Sequence, residues 1–530
     1  METTNLSKIK RERMLNTINE IKKNITDEEV LNNLSLIENE LTKKKYGLIW
    51  EEHEERVDKE LETQIPTFEE VKEKEIVSNP NEQFNFLLEG DNLHSLYLLE
   101  KTHKGKIDLI IIDPPYNTGS KEFMYNDTYV DSEDGYKHSK WLSFMNKRLR
   151  MAKELLSERG FIYINIDQNE FSQLKLLCDE IFGEVNYVNE IIWQKLSASK
   201  AQSIYFSNLH EKILIYRKSE KSIMNKLYFA TDENDKNYPY VEESTGRKYG
   251  SFDFTQSGQG TAKYFGDKLL EPPKGKHWIW SQEKIDEGLK NGTIIFTSNG
   301  LPRVKRYLDN KKGNPIGDLW VNNGVTNLSA NDKERVGFDT QKPLSMIQRI
   351  LDTMPNDIIV LDFFAGSGTT GHGVLFKNSV DNGTRRFILC TNNENNICES
   401  ITYERIKNVI QGYSKYKPIK SNLKYYRCTY IPRLNNEIEN LHNNLLLNIK
   451  NLIQLENGVE VDDNKIRVYL NEEELDNFSI NQKELDTCEK VYISSDILLT
   501  SEQETIFKNN NIEVYIIPEY YFEDEIMEVM

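Results

Sequence analysis

The sequence predicts an α/β protein built on a doubly wound, mostly parallel sheet, and two observations predict it. Short apolar strands alternate with amphipathic helices along residues 81–194 and again along 339–427. Two of those strands also run straight into turns made rigid by proline or opened by glycine. Alternation of this kind is how a parallel sheet covered on both faces reads in a sequence. With 530 residues, 38% of them hydrophobic, the chain has material for two or three domains and a sizeable core.

Taken in order, residues 1–80 read as a polar helical segment and linker. Thr26-Asp27-Glu28-Glu29 fits a capping box, and Leu31, Leu34, Ile37 (or Glu38) and Leu41 follow at helical spacing. A charge-dense stretch then ends at Ser78-Asn79-Pro80. From Phe84, Phe86-Leu87-Leu88 leads into Gly90-Asp91-Asn92 and a helix carrying Leu93, Leu96 and Leu99 on one side. Ile107–Ile112 is a buried strand. Apolar residues at helical spacing mark a helix over 141–156, which Arg159-Gly160 stops; 161–166 is the next strand and 171–182 the next helix.

Between 195 and 338 the rhythm is lost, and aromatic and basic residues interleave: Tyr264, Lys268, Lys276, His277, Trp278, Trp280, Arg303, Lys305, Arg306, Tyr307. The α/β pattern resumes over 339–427 with a helix at 343–354, strands at 358–363 and 387–391, and a helix at 401–410. Residues 428–530 read as a small acidic α/β domain, with strands at 490–493 and 513–517 flanking a helix.

Charge is distributed unevenly. The chain carries a net −18, yet residues 195–330 hold 21 basic against 15 acidic side chains, and residues from 421 onward hold 9 against 22. A basic middle allows a local cleft for a polyanion despite the acidic total. Five scattered cysteines without a C-x-x-C pair argue against a zinc knuckle or a disulfide framework. No stretch approaches the ~20 apolar residues of a membrane span, and the start of the chain lacks an apolar signal region. The expected setting is cytoplasmic, with no membrane association and no metal.

Two turns carry chemistry. In Ile112-Asp113-Pro114-Pro115-Tyr116-Asn117 an acid and an aromatic stand at the carboxyl end of a buried strand, where open α/β sheets bind ligands. The prolines restrict the backbone and aim its carbonyls. An acceptor carboxylate beside a fixed carbonyl takes both hydrogens of an exocyclic amine, and Tyr116 stacks on the ring that bears it. An acidic turn merely stiffened by prolines is the plainer alternative. In the second turn, Asp362-Phe363-Phe364-Ala365-Gly366-Ser367-Gly368-Thr369-Thr370, a strand enters a glycine loop before a helix, which lets a ligand approach the backbone. No lysine precedes the threonine pair, so it is not a phosphate-cradling Walker loop. Glu394, at the end of the next strand, suits an acid that holds ribose hydroxyls, with Glu399 a neighbouring candidate.

Together these turns resemble the DNA amino-methyltransferases, which transfer a methyl group from S-adenosylmethionine to adenine N6 or cytosine N4. D-P-P-Y is commoner among the N6-adenine enzymes. The catalytic motif precedes the glycine motif, the circularly permuted order of the β group. More closely, Lys45-Tyr46-Gly47-Leu48-Ile49-Trp50, Gly90-Asp91-Asn92-Leu93, Asp113-Pro114-Pro115-Tyr116-Asn117-Thr118-Gly119, Thr340-Gln341-Lys342-Pro343-Leu344 and Thr391-Asn392-Asn393-Glu394-Asn395-Asn396 resemble the Mod subunits of type III restriction-modification systems. The resemblance covers roughly residues 45–427.

It implies a methyltransferase fold in two parts, catalytic (81–194) and cofactor-binding (339–427), around a target-recognition insertion (195–338). By the same resemblance the catalytic set is Asp113, Pro114, Pro115 and Tyr116. The cofactor set is Asp91, Asn92, Thr340, Lys342, Phe364, Ala365, Gly366, Ser367, Gly368, Thr369, Thr370 and Glu394. Arg303, Lys305 and Arg306 are the candidate DNA contacts. The implied partners are S-adenosylmethionine, double-stranded DNA, a second copy in a homodimer, and a restriction subunit bearing helicase and nuclease. Competing readings are a solitary DNA methyltransferase, an N4-cytosine enzyme, an RNA or protein-glutamine methyltransferase, and a DNA-binding module without catalysis.

Overall fold

The computed structural model describes residues 6–25, 27–42, 50–79, 82–119, 124–125, 128–129, 134–198, 205–229, 235–321, 324–325, 327–329, 332–412, 417–432, 438–461, 464–495 and 497–517. The chain divides into two compact units: Met1–Ile223 with Trp320–Gln348 and Asn356–Met530, and Met224–Leu319 with Arg349–Pro355.

The larger unit is built on one sheet. Nine of its strands, in chain order, are β1 (Gln64–Glu70), β2 (Phe84–Glu89), β3 (Ile107–Ile112), β4 (Leu156–Ile166), β5 (Tyr187–Gln194), β6 (His210–Arg217), β7 (Ile359–Asp362), β8 (Arg386–Thr391) and β9 (Asn422–Pro432). Their spatial order is β1-β9-β2-β8-β7-β3-β4-β6-β5. The six strands from β9 to β4 are parallel. β1 closes one edge antiparallel, and β6 and β5 run antiparallel beyond β4 on the other side. The expected doubly wound, mostly parallel sheet is therefore present. Its strands are near-continuous apolar runs because both faces are covered: Leu109, Ile110, Ile162, Val360, Leu361 and Leu389 are all fully buried.

The permutation is visible in the pairing. β3, which ends in the acid–proline turn, lies beside β7, which ends in the glycine turn, with Leu109 opposite Val360 and Ile110 opposite Leu361. Helices α1 (Asn92–His103), α2 (Lys137–Leu155) and α3 (Phe171–Phe182) supply Leu96, Leu99, Trp141, Met145, Leu149, Leu174 and Leu177 to the core cluster that lines this sheet. Their apolar residues recur at the three- and four-residue spacing of a helix face.

Some boundaries differ from the sequence reading. α2 ends at Leu155 because Leu156 turns extended and pairs with Ile107, so Arg159-Gly160 lies within β4 rather than stopping a helix. The helix expected over 401–410 begins earlier, as a π-helical turn Ile397–Tyr403 running into Glu404–Gln411. Residues 195–223 and 320–338 of the expected insertion fall in the larger unit; β6 joins the main sheet because Ile213, Leu214, Ile215 and Tyr216 are all buried there.

After β9, helix Ile438–Asn457 adds Ile449, Leu452 and Ile453 to the main core. A three-stranded parallel sheet follows (Ile466–Tyr469, Lys490–Ile493, Glu513–Ile516), with its own core around Leu475, Phe478, Val491 and Phe507. At the other end, helices Leu6–Lys23 and Glu28–Thr42 are joined by a Lys22–Glu38 ion pair of 2.6 Å. Asp27 accepts from the backbone N–H of Glu29 (3.0 Å) and Val30 (3.3 Å). Thr26, residues 45–49 of the first family motif, and Pro80 lie outside the described residues.

The second unit holds a four-stranded antiparallel sheet in the order Ile294–Phe296, Pro302–Tyr307, Lys248–Phe252, Tyr240–Val241. Phe254, Phe265, Trp278, Ile285, Ile294 and Val304 form its core. Trp278, one of the aromatics interleaved with bases in the sequence, is thus a packing residue. No helix of the described residues is long and apolar enough to cross a membrane.

Candidate active site at the β3 and β7 strand ends

The chain leaves β3 toward β4 on one side and β7 toward β8 on the other, so the carboxyl ends of β3 and β7 flank a topological switch point, where open sheets form ligand crevices. A cavity of about 580 Å³ opens there. Its wall includes Asp113, Pro114, Pro115 and Tyr116 from one strand end and Phe364, Ala365, Gly366, Ser367, Thr369 and Thr370 from the other. Asp91, Asn92, Thr340, Lys342 and Glu394 also line it. Of the residues expected at the catalytic and cofactor ends, only Gly368 is set back, at the start of helix α4 (Thr369–Asp381).

The acid–proline turn is held from three sides. The Ile112 carbonyl accepts from Asn165 Nδ2 (3.2 Å) and the Pro115 carbonyl from Trp141 Nε1 (2.7 Å). Asn117 adopts a left-handed conformation (φ 57°) and donates to the buried Glu170 (2.5 Å), which also meets His138 Nδ1 at 2.7 Å. Pro114 lies between these anchors, and no described residue donates to its carbonyl.

At the same end, Tyr116 Oη donates to Asp113 Oδ1 (2.7 Å) and lies 3.1 Å from Glu211 Oε2. Lys342 Nζ donates to Asp113 Oδ2 (2.6 Å), sits 3.5 Å from Glu211 Oε2, and stands 5.0 Å from the centre of the Tyr116 ring. Lys195 holds the other oxygen of Glu211. Burial raises Asp113 above the usual carboxylate range, against the pull of Lys342, and Glu211 adds to the rise. Burial also pushes Tyr116 well up, so it stays a neutral donor. Burial alone would raise Glu211, but Lys342 and Lys195 outweigh it and hold that carboxyl below its ordinary value.

The glycine turn is fixed as firmly. Gly366 (φ 45°) and Gly368 (φ 71°) are left-handed, and a Cβ on Gly366 would come within 3.1 Å of the Phe338 ring. Ala365 N–H donates to Cys390 O (3.1 Å), Gly368 N–H to Ala365 O (2.7 Å), and Thr402 Oγ1 to Gly366 O (2.6 Å). Buried Arg405 donates to Ser367 O (3.2 Å) and Thr369 Oγ1 (2.7 Å). Asp362 accepts from Phe364 N–H (3.0 Å) and Thr370 Oγ1 (2.6 Å). Burial outweighs those bonds and lifts its carboxyl to about 7.

That last shift has a stability consequence. An acid with a raised folded-state value binds its proton in the fold while the unfolded chain has already lost it. Asp362 therefore costs stability increasingly as pH rises from about 4 to 7. Asp362→Asn is expected to gain in melting temperature relative to wild type across that interval, with the gain levelling off above pH 7. Thermal melts at a series of pH values check this.

The cofactor end carries one further anchor. Arg148 on α2 is wholly buried, donates to Glu55 (2.9 Å) and to Asn92 Oδ1, reaches Asp91 (3.4 Å), and lies over the Phe144 ring. Asn92 Nδ2 in turn donates to Phe363 O (3.0 Å), tying the β2 turn to the glycine turn. Asp91 also caps α1 through Leu93 N–H (2.7 Å). Glu394 stands on the wall beside left-handed Asn395 and Asn396, whereas Glu399 pairs with Lys74 (2.6 Å) and Arg427 (3.0 Å) outside the lining. Lys342, matched to the cofactor end by the family motif, is placed on Asp113.

In the second unit, Arg303, Lys305 and Arg306 share one strand but not one face. Arg303 donates to Ser251 O (2.8 Å), and Lys305 is tied to Glu242 (2.8 Å) over the Tyr249 ring. Arg306 is exposed on the opposite face, next to Phe252. Glu211, Lys195, Arg148 and Glu55 are site residues that motif reading missed. An acid just ahead of a continuous apolar run, Glu211-Lys212-Ile213-Leu214-Ile215-Tyr216, was the available signal for the first.

Comparison with known proteins assigns the class. The DNA methylase family model matches residues 107–404, more than half of the chain, and the chain belongs to that family. Among curated relatives, it is 32% identical over 356 residues to the Mod subunit of the type III restriction-modification enzyme StyLTI of Salmonella typhimurium, covering 61% of this chain and 54% of that protein. It is 33% identical over 340 residues to the type II methyltransferase M.KpnI of Klebsiella pneumoniae, covering 57% and 79%. It is 29% identical over 434 residues to the EcoPI Mod subunit of Escherichia phage P1, covering 69% and 66%. The chain thus spans about half the length of the StyLTI subunit.

Proposed function

We propose that this chain transfers a methyl group from S-adenosylmethionine to adenine N6 in double-stranded DNA, as the modification subunit of a type III restriction-modification system. One observation carries the reading: Asp113–Tyr116 and Phe364–Ser367 stand at the ends of two directly paired parallel strands and face one cavity. The relatives support it, since two of them are type III Mod subunits.

The residues fit the cofactor. A backbone free of Cβ atoms at Gly366 lets a ligand lie against the turn, while Asp91, Asn92 and Glu394 give polar groups along the same wall. When bound, the cofactor supplies a methyl group already activated on a sulfonium, so no metal and no covalent enzyme intermediate is needed. The chain's own part is positioning, and alignment of reactants recovers about 7–11 kcal/mol of barrier. Asp113 and the Pro114 carbonyl accept the two hydrogens of the amino group and turn its lone pair toward the methyl. Tyr116 stacks on the base, contributing about 1–3 kcal/mol, which offsets part of the few kcal/mol needed to flip it from the duplex. Asp113, raised by burial, is a stronger base than a solvated carboxylate and takes the proton that the methylated nitrogen sheds.

The second unit, with exposed Arg306 and Tyr240, is the proposed target-recognition region. Phosphate contacts make its affinity fall steeply with salt. A homodimer and a nuclease-bearing restriction subunit complete the proposed assembly. The test is to incubate the protein with unmodified genomic DNA and labelled S-adenosylmethionine, then map modified bases by long-read sequencing. N6-methyladenine in a single sequence context is expected. N4-methylcytosine would overturn the base assignment, and no transfer would overturn the enzyme.

A further inference from the structure

The acceptor end of the cavity holds two carboxylates, half-buried Asp113 and buried Glu211, where methyl transfer needs one. Asp113 follows directly on β3, and Glu211 stands near the start of β6, two strands away. They are bridged twice. The Tyr116 hydroxyl lies 2.7 Å from Asp113 and 3.1 Å from Glu211, and the Lys342 ammonium 2.6 Å from Asp113 and 3.5 Å from Glu211. Each donor on Asp113 thus has a second acceptor within reach. An incoming amino group competes with both donors for Asp113.

We propose that Glu211 is a positioning residue: the acceptor that takes over the Tyr116 hydroxyl and the Lys342 ammonium when the amino group of the target base engages Asp113. The inference rests on the methyl-transfer reading above. It explains why a buried acid without a partner backbone N–H is kept ionised between two lysines. It also explains why Lys342 keeps its charge, since Asp113 and Glu211 outweigh the effect of burial. With Glu211 absent, both donors settle on Asp113 and hinder substrate capture. The charged and titratable groups facing Asp113 are Lys342, Tyr116 and Glu211, with Asp362 on the neighbouring strand.

The experiment compares wild type, Glu211→Gln and Glu211→Asp in single-turnover methylation of duplex DNA as a function of pH. Thermal melts and calorimetric S-adenosylmethionine binding serve as controls. Glu211→Gln is expected to lower the plateau rate at least 10-fold with cofactor affinity unchanged. Its acid limb should move to lower pH, because a negative neighbour that raises Asp113 is gone. A limb set by Asp362, which does not face Glu211, stays in place. Glu211→Asp keeps the charge, so its limb stays at the wild-type position and its rate exceeds that of Glu211→Gln; if the Gln variant does not fold, the position of the Asp limb is the deciding readout. An active wild type with Glu211→Gln at the same rate and limb would overturn the inference alone, as would an Asp variant with a shifted limb. A wild type that transfers no methyl group would overturn both the reading and the inference.

Discussion

Replacing Asp113 by alanine is expected to slow methyl transfer by on the order of 1,000-fold while leaving S-adenosylmethionine affinity within a few-fold of wild type. The magnitude is that of removing one oriented partner of the reacting group in a desolvated site. Cofactor binding persists because the glycine turn is built from a different strand and held by Cys390, Thr402 and Arg405. The fold persists because Lys342, left without Asp113, still has Glu211 at 3.5 Å. Asp113→Asn retains one carbonyl acceptor and should lose less activity than the alanine variant. Measuring rate and cofactor affinity on the same preparations separates a catalytic loss from a binding loss; equal losses in both would place Asp113 at the cofactor rather than the base.

The second large effect belongs to the other turn. Gly368→Val is expected to weaken S-adenosylmethionine binding at least 30-fold, about 2 kcal/mol, by calorimetry, and to lower activity in proportion at subsaturating cofactor. Gly368 sits at φ 71° at the start of α4, a conformation that a β-branched residue rarely adopts. An added Cβ would meet the Thr402 methyl at 3.2 Å. The turn would relax by moving Gly366, whose carbonyl Thr402 holds, and with it the cavity wall. A Val variant with wild-type affinity would show that the turn does not carry the cofactor.

What the sequence made legible was local. An apolar run that ends in Asp-Pro-Pro-Tyr, and another that ends in Gly-Ser-Gly, announce strand and turn within a dozen residues, because burial on both faces and restricted φ values are both written in residue type. What stayed hidden depends on partners distant in the chain. Glu211 lies where the strand–helix rhythm is lost in the sequence, and only pairing with β4 and β5 carries it beside Tyr116. Arg148 reads as the solvated charge of an amphipathic helix, yet it is wholly buried because Glu55, 93 residues away, meets it. The choice between Glu394 and Glu399 was open in the sequence, and the left-handed pair Asn395-Asn396 turns only the first toward the cavity. Likewise the start of β4 at Leu156 follows from pairing with Ile107, not from any signal near Arg159.

The direct pairing of β3 with β7 also sets an order of events on the ribosome. The backbone N–H of Ile359 donates to the Asp108 carboxylate at 3.1 Å, across 251 residues of chain. The catalytic half and the whole of the second unit's long segment emerge before the strand that completes the crevice exists. A nascent chain therefore has no finished cofactor pocket until Ile359 and the rest of β7 have emerged. Contacts of such separation form slowly, so the crevice should close with a delay after β7 has been made.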